Sequence, residues 1–307
     1  MQGKQLEFAL ASRRFFQLAS WVSRLPGAPG AAAQWLGKQA SPYCMDRAEI
    51  QRAIATALGK TDTQATLAAN QWLASHGIFG CEIFSYHSKN PQWVQRCVHV
   101  DAPDALAALQ QTGGLVLIPH SHHHNTLGIV LGQSGIPTWG VAATEVGSPM
   151  APYTGQYMRI INGQSEAKFA GGKYLFIDEP RAMLKGIRTA FEQRHAVVTL
   201  CDNPVPPNDT PPAHFLGKTF HVGTGVINQA LACKAPITLG ILYPDLRGTY
   251  HLGLQRLPDN LTAPQVVDAY FGFLARHVTQ APWAWQGWHW YNGLPASPPT
   301  DQAPAQA

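Results

Sequence analysis

Short apolar runs alternate with stretches of helical character along most of the chain, and this alternation limits the fold more than any other feature. Each run holds four to seven residues and is apolar enough to be typical of a strand buried in a sheet. The runs lie at residues 97–100, 115–118, 137–143, 196–201 and 237–243, and the helical stretches between them at 102–111, 180–194 and 225–232. The pattern predicts an α/β fold with a mostly parallel central sheet flanked by helices.

A helical N-terminal section precedes this alternation. Residues 6–25 place apolar side chains at spacings of three and four, with arginines and polar side chains on another face, and Pro26 follows as a helix stop. Two more helical stretches lie at 47–58 and 62–76. The apolar stripe of residues 6–25 fits a helix packed on the core, and it fits equally well an interfacial helix lying on a membrane.

Length and composition predict one large domain with a short segment at each end. A chain of 307 residues, of which 45% are hydrophobic, can bury a substantial core. We expect residues 1–45 to form the amphipathic helix and a loop, and residues 46–292 to form the α/β domain. Residues 293–307 are rich in Pro, Ala and Gln, a composition that predicts a disordered tail.

Charged residues are sparse, at 13% of the chain against roughly 25% in an average soluble protein. This predicts that part of the surface is apolar or meets lipid or a partner. The net charge of +4 comes without a block of Lys or Arg, so we expect no nucleic-acid partner. The sequence shows neither an apolar span long enough to cross a bilayer nor a signal peptide. We expect a cytoplasmic protein, with residues 6–25 as the segment that could hold it at the inner membrane.

The cysteines do not form a recognisable framework. They are odd in number, widely spaced and without a Cys-x-x-Cys pair, at positions Cys44, Cys81, Cys97, Cys201 and Cys233. This spacing argues against a disulfide framework and against a cysteine-rich zinc site. We expect buried apolar thiols in a reducing compartment.

One apolar run ends directly at a histidine. Residues 114–118 are Gly-Leu-Val-Leu-Ile, and Pro119 and His120 follow. The carboxyl ends of strands are where α/β folds place catalytic groups. An imidazole there can act as a general base near neutral pH, provided that a second polar group fixes its tautomer. His120 is therefore the candidate base, and Asn125 is the nearest candidate for the group that orients it.

Four segments occur in an order that one known family shares. Residues 113–120 hold a glycine, a hydrophobic strand and a histidine, and residues 196–202 hold a second strand that ends in aspartate. Residues 215–220 carry a Phe-Leu-Gly stretch, and residues 281–290 carry a cluster of tryptophans and a histidine. This ordered set, over roughly residues 45–292, resembles the lysophospholipid acyltransferase superfamily, and within it the late (lauroyl/myristoyl) acyltransferases of lipid A biosynthesis.

The resemblance implies an acyltransferase in which His120 is the general base. It also implies an acyl-thioester donor, carried by acyl carrier protein or coenzyme A, with no further cofactor. The family's signature is His-x4-Asp/Glu, whereas Asn125 stands at the acidic position of this chain. An amide can hold the imidazole but adds no negative charge, and in a serine-protease triad this exchange costs on the order of 10⁴ in rate. The family also usually begins with a membrane-spanning helix, and this chain offers only the amphipathic segment.

Another acid could support His120 in place of Asn125. The candidates are Glu145, Asp178 and Asp202. Asp202 follows a predicted strand, so it could lie at the same edge of the sheet as His120. It is equally consistent with an ordinary turn, because Asn and Pro follow it directly.

The histidine triplet that follows Ser121 has two interpretations. His122, His123 and His124 could bind a metal ion, because imidazole is its commonest protein ligand. No His-Glu-x-x-His pattern and no Cys partner accompany them, so we favour a cleft in which His122 and His124 hydrogen-bond to substrate, without a metal. Arg159 resembles in position an arginine that the family uses near its substrate. Trp285 belongs to an aromatic cluster that predicts either core or the wall of an acyl pocket.

The sequence predicts direct transfer without an acyl-enzyme intermediate. It contains no Gly-x-Ser-x-Gly elbow, and Cys201 has no adjacent basic residue. We therefore expect an acyltransferase that moves a fatty acyl chain from an acyl-carrier-protein or coenzyme A thioester to a hydroxyl or amine. A basic stripe (Arg181, Lys185 and Arg188) could dock acyl carrier protein or be a solvated helix face. Two alternatives stay open: a non-catalytic acyl-binding or carrier-docking protein, and a metal-dependent hydrolase that uses the histidine cluster.

Overall fold

The computed structural model describes residues 2–25, 30–43, 45–142, 151–207, 210 and 212–297. The helices in these residues are α1 (Gln2–Val22), α2 (Ala31–Ala40), α3 (Arg47–Leu58), α4 (Asp62–Glu82), α5 (Pro91–Cys97), α6 (Pro103–Thr112), α7 (His124–Gln133), α8 (Ala151–Glu166), α9 (Pro180–Glu192), α10 (Gly225–Ala232), α11 (Ala263–Gln280) and α12 (Trp288–Tyr291). The strands are β1 (Val98–Val100), β2 (Gly114–Ile118), β3 (Thr138–Ala142), β4 (Tyr174–Phe176), β5 (Ala196–Leu200), β6 (Pro212–Phe215), β7 (Lys218–His221), β8 (Ile237–Pro244) and β9 (Tyr250–Arg256).

Seven strands form one sheet in the order β1-β9-β8-β2-β5-β3-β4. The pairs β8–β2, β2–β5, β5–β3 and β3–β4 are parallel, as is β1–β9, while β8 and β9 pair antiparallel. Helices pack against both faces of this sheet. The structure therefore confirms the predicted fold class, a mostly parallel central sheet flanked by helices with a helical N-terminal section.

The central strand β2 is buried on both faces because its side chains alternate between two hydrophobic clusters. Leu115 and Leu117 join the cluster that includes residues of α4 and α11, whereas Val116 and Ile118 join the cluster that includes residues of α6 and α7. Each of the five residues of β2 is buried. A strand enclosed in this way holds the residues beyond its carboxyl end in a defined place at the sheet edge.

Helix α4 is held close to α2 by glycine. A Cβ atom on Gly77 would lie 2.1 Å from the carbonyl oxygen of Ala33, so only glycine allows the two helices to approach so closely.

Helix α4 continues to Glu82, beyond the predicted end at His76. This extension matters because the last turns of α4 carry polar side chains into the interior.

Helix α1 packs through part of the apolar stripe that its sequence predicts. Phe15 of that stripe is buried, together with the neighbouring Ala19, whereas Leu18 of the same stripe is 50% exposed. Large apolar side chains are exposed along α1, α2 and the turn that follows: Leu10, Leu18, Trp21, Leu25, Trp35 and Tyr43. In the part of the chain that the structure describes, α1 included, no helix is both long and apolar enough to cross a membrane.

Strands β6 and β7 form a separate hairpin through a two-residue turn. Leu216 and Gly217 both have positive φ, at 49° and 79°, as a tight turn of this type requires. The first residues of the predicted tail reach this hairpin, because the main-chain N–H of Thr219 donates to the carbonyl oxygen of Pro295 at 2.9 Å. Residues 298–307 lie outside the described residues.

Candidate active site

His120 and Asp202 meet at the carboxyl edge of the sheet. Strands β2 and β5 are parallel neighbours with Ile118 opposite Leu200, so the residues two positions further along each chain lie side by side. The imidazole Nδ1 of His120 is 2.7 Å from Oδ1 of Asp202. Of the candidate acids that lie within the described residues, Asp178 and Asp202, the structure brings Asp202 to His120.

The Asp202 carboxylate is fully buried and surrounded by donors. The main-chain N–H of His120 donates to both oxygens, at 2.9 and 3.0 Å, and Nε1 of Trp285 donates to Oδ2 at 2.7 Å. Burial alone would raise the pKa of Asp202, but the charge and hydrogen bonds of His120, with that of Trp285, outweigh it and lower the pKa. Because an ionised carboxylate only accepts hydrogen bonds, Nδ1 of His120 carries the proton and Nε2 is the basic nitrogen.

The His120 ring is held firmly but remains accessible. Its side chain is 17% exposed, and the Trp290 ring meets it edge-on with centroids 5.3 Å apart. The main-chain N–H of Gln286 donates to the carbonyl oxygen of His120 at 2.6 Å. The segment that contains Trp285 and Gln286 therefore supports His120 in two ways. Gln286 donates to the main-chain carbonyl oxygen of His120, and Trp285 donates to the Asp202 carboxylate that contacts the His120 ring.

A largely apolar cavity of about 290 Å³ opens beside His120. This volume is near the lower end of the range for small-molecule sites, roughly 300–1,000 Å³. A Cβ on Gly140 would lie 2.6 Å from the Tyr174 ring, so glycine gives that ring its place in the wall. His120, His124 and Asn125 provide polar lining. Apolar side chains make up much of the rest, including Ile118, Val141, Met158, Phe169, Val198 and Leu200.

Asn125 lines the cavity but does not orient His120. Its Oδ1 accepts a hydrogen bond from the Tyr174 hydroxyl at 3.0 Å, and its Nδ2 lies 3.2 Å from Nε2 of His124. His124 in turn donates from Nδ1 to the carbonyl oxygen of Ser121, at 2.5 Å. The side chain that contacts the His120 imidazole is therefore the carboxylate of Asp202, and Asn125 makes its hydrogen bonds elsewhere.

His122 lies in the interior, away from the cavity lining where we predicted it. It is 1% exposed and packs against the Trp72 ring, and its Nδ1 lies 3.3 Å from Nδ1 of His76. Burial, with the nearby His76, places the pKa of His122 well below its ordinary value. His122 thus packs beneath the loop after β2, and it is not among the residues that line the cavity beside His120.

A buried ionic network lies under the same loop, and the sequence did not predict it. Glu82 and Lys89 form an ion pair at 2.7 Å, with side chains 3% and 5% exposed. The same carboxylate contacts Nδ1 of His123 at 2.5 Å and accepts from the Tyr250 hydroxyl at 2.6 Å. Burial alone would raise the pKa of Glu82, but the charges of Lys89 and His123 and their hydrogen bonds lower it. The sequence held one signal of this network: Glu82 is the single acidic residue inside the apolar stretch 77–84, and a buried carboxylate needs partners.

The histidines of residues 120–124 do not converge on one point. The Nδ1 atoms of His120, His122 and His123 face, respectively, one carboxylate, an imidazole and a second carboxylate. Among the described residues, no group of three or more His, Cys, Asp or Glu side chains could hold a metal ion. Only His120 and His124 of this cluster line the cavity.

Other predicted residues lie away from His120 or have different roles. Arg159 is exposed on α8, next to Met158, which lines the cavity. Trp285 is fully buried and donates to Asp202, and it is not among the residues that line the cavity beside His120. Asp178 follows β4, three strands from β2, and Glu145 lies outside the described residues. The stripe of Arg181, Lys185 and Arg188 is exposed along α9.

Two residues close to His120 could in principle act as nucleophiles. Ser121 is 2% exposed, and its hydroxyl accepts a hydrogen bond from the main-chain N–H of His123. Cys201 is a buried free thiol, and burial, with the adjacent Asp202, raises its pKa. Neither has the exposed, activated geometry that covalent catalysis needs. Cys44 lies outside the described residues.

Comparison with known proteins identifies no relative of this chain among family models or curated proteins.

Proposed function

We propose that the protein is an acyltransferase that moves a fatty acyl chain from an acyl-carrier-protein or coenzyme A thioester to a hydroxyl or amine. The observation that carries the proposal is the His120–Asp202 pair at an apolar cavity. A histidine with its tautomer fixed by a buried carboxylate is a general base, and an apolar cavity beside it suits an acyl chain.

The chemistry needs one base and no covalent intermediate. Nε2 of His120 takes a proton from the acceptor while the acceptor's lone pair attacks the thioester carbonyl carbon. The buried carboxylate of Asp202 stabilises the imidazolium that forms. When the tetrahedral intermediate collapses, the C–S bond breaks, and the departing thiolate takes the proton from His120. The buried states of Ser121 and Cys201 support this direct route.

We also propose that the exposed apolar surface of α1 and α2 contacts the inner membrane. Trp21 and Trp35 stand on this surface at 72% and 61% exposure, and Arg13 and Arg14 are exposed nearby on α1. Aromatic side chains beside arginines match the interface of an anionic bilayer. The exposed basic stripe on α9 is the proposed contact for acyl carrier protein, which is acidic.

The function is tested by offering the protein a panel of acyl-carrier-protein and coenzyme A thioesters together with cell extract. We expect one thiol released for each acylated product, with the product identified by mass. His120→Ala should abolish both signals, and His99→Ala is the matched control, because His99 is 64% exposed and lies on β1. Free fatty acid as the sole product would show a hydrolase, and donor binding without turnover would show a carrier-binding protein; either result contradicts acyl transfer.

A further inference from the structure

The side-chain amide of Asn125 is held in one orientation from both ends. Nδ1 of His124 lies 2.5 Å from the carbonyl oxygen of Ser121, which can only accept, so this nitrogen carries the proton. Nε2 of a neutral His124 is then an acceptor, and burial keeps the ring neutral by lowering the pKa of His124 to about 4. Asn125 therefore donates one N–H to His124, while its Oδ1 accepts from Tyr174.

This arrangement leaves the second N–H of Asn125 available. Among the described residues, the amide nitrogen has no hydrogen-bond partner besides His124. Asn125 and His120 line the same cavity, and the His124 ring that holds the amide lies 6.1 Å, centroid to centroid, from the His120 ring. A donor that is fixed in direction, unpaired and in the same cavity as the base is the arrangement that stabilises developing negative charge.

We propose that Asn125 is a catalytic residue that donates its free N–H to the thioester oxyanion; this rests on the acyl transfer proposed above. As the acceptor oxygen or nitrogen bonds to the carbonyl carbon, the C=O π electrons move onto the carbonyl oxygen. Nδ2 of Asn125 donates to that oxygen. Collapse re-forms the C=O bond, expels the thiolate and ends the strong interaction with Asn125.

The oxyanion role explains why position 125 is an asparagine, where the family pattern has an acid. With Asp202 orienting His120, a second carboxylate at position 125 would repel an oxyanion, whereas an amide is neutral and donates. The polar chain from Tyr174 to Asn125 to His124 keeps the donor in place without reorganisation during the reaction. Removal of one such donor in other enzymes costs about 10²–10³ in kcat.

The test compares Asn125→Ala, Asn125→Asp and Tyr174→Phe with Asn228→Ala, an exposed control on α10. Each protein is assayed for kcat and KM with the active thioester. Binding is measured for two analogues of that donor: a trifluoromethyl ketone, whose hydrate mimics the tetrahedral oxyanion, and a thioether without the carbonyl. We expect Asn125→Ala and Asn125→Asp to lower kcat and ketone affinity by about 10²–10³, with thioether affinity unchanged. Tyr174→Phe should give a smaller loss in the same two quantities.

Asn125→Asp at the parental rate would overturn the proposal, and so would equal losses of ketone and thioether binding, which indicate damage to the cavity. Tyr174→Phe provides the same comparison if the Asn125 variants do not fold. An inactive His120→Ala with active Asn125 variants would leave acyl transfer standing and refute only the oxyanion role. A parent protein that transfers no acyl group would refute both.

Discussion

Asp202 binds the imidazole and the main-chain N–H of His120 at once, across two parallel strands. The carboxylate thus sets the tautomer of the ring and also holds the loop that carries it. Both residues stand two positions beyond paired strand ends, so the sheet register brings them together. His120 is consequently positioned by two adjacent inner strands of the sheet.

Asp202→Asn should lower kcat by on the order of 10³–10⁴ while the protein stays folded, because the amide can donate to Nδ1 and trap the wrong tautomer. Steady-state kinetics with the active thioester measure this effect. Asp259→Asn is the control, since Asp259 is 76% exposed and pairs with Arg256 on the surface. A decrease of less than tenfold in Asp202→Asn would show that Asp202 does not support the base.

Trp285→Phe removes the indole donor from the buried carboxylate of Asp202. We expect a loss of about 1–3 kcal/mol in the free energy of unfolding. The pKa of Asp202 should rise, because one of the hydrogen bonds that lower it is gone. A lowered carboxyl pKa gives stability that is present above the unfolded pKa, about 4, and is lost as the pH falls from there toward the folded pKa. Because the pKa of Asp202 is less depressed in the variant, the variant should lose less stability than the parent between pH 7 and 3, and unfolding measured over this range tests this. Trp288→Phe, which loses a buried hydrogen bond to Pro282 instead, should be destabilised with the pH dependence of the parent.

Glu82→Gln should destabilise the protein by about 3–5 kcal/mol, because it leaves Lys89 charged and buried without its partner. The double variant with Lys89→Met should recover part of that loss. Denaturant unfolding measures both, and Asp259→Asn at the exposed Arg256 pair should change stability by less than about 1 kcal/mol. A double variant as unstable as the single one would show that the network acts through its other hydrogen bonds.

Stability should decrease as the pH falls from 6.5 to 5, because buried histidines stay neutral in the folded protein. Burial lowers the pKa of His76 to about 3 and that of His124 to about 4, against about 6.5 in the unfolded chain. The unfolded state therefore binds protons that the folded state does not, which costs on the order of 2 kcal/mol per histidine at pH 5. Urea unfolding at pH 7.5, 6 and 5 measures the slope. His76→Gln should reduce it, and an unchanged slope would contradict this account.

Trp21→Ser combined with Trp35→Ser should reduce co-sedimentation with anionic phospholipid vesicles, because it removes the two exposed indoles from the α1–α2 surface. Removing α1 altogether is a poorer test, since Phe15 and Ala19 belong to the core. Ile177→Ser is the matched control, as Ile177 is 51% exposed and lies after β4. Equal vesicle binding by parent and double variant would exclude this surface as the membrane contact.

Local patterns predict the elements whose periodicity is strong. The helix expected at 47–58 is observed as α3 with the same bounds, and the apolar runs at 115–118 and 196–201 are β2 and β5. Helix α7 was not predicted, because glycines interrupt its apolar residues. Strand β9 was not predicted either, because His, Gln and Arg interrupt its apolar pattern. In both elements, tertiary burial decides what local propensity leaves ambiguous.

The site was predictable only in part, because it also depends on tertiary contacts. The placement of catalytic groups at the carboxyl ends of strands identifies His120 and makes Asp202 a candidate. The choice between Asp202 and Asn125, however, depends on β2 lying beside β5, and no local pattern encodes strand order. The hydrogen bond from Tyr250 to Glu82 joins residues 168 positions apart. Contacts of this kind form only when the whole chain has folded, so the sequence predicts His120 at the strand end but not most of the side chains that support it.

The cavity wall and the support of the base come largely from different parts of the chain. Strand β2, Asp202 after β5 and the Trp285 segment hold His120. Ile118 of β2 and Val198 and Leu200 of β5 also line the cavity, but Phe169, Tyr174 and residues of α7, β3 and α8 enclose much of it. Mutations in the second group can reshape the cavity while the His120–Asp202 pair stays intact. Such a division allows related sequences to differ in the molecules that fit the cavity without any change to the His120–Asp202 pair.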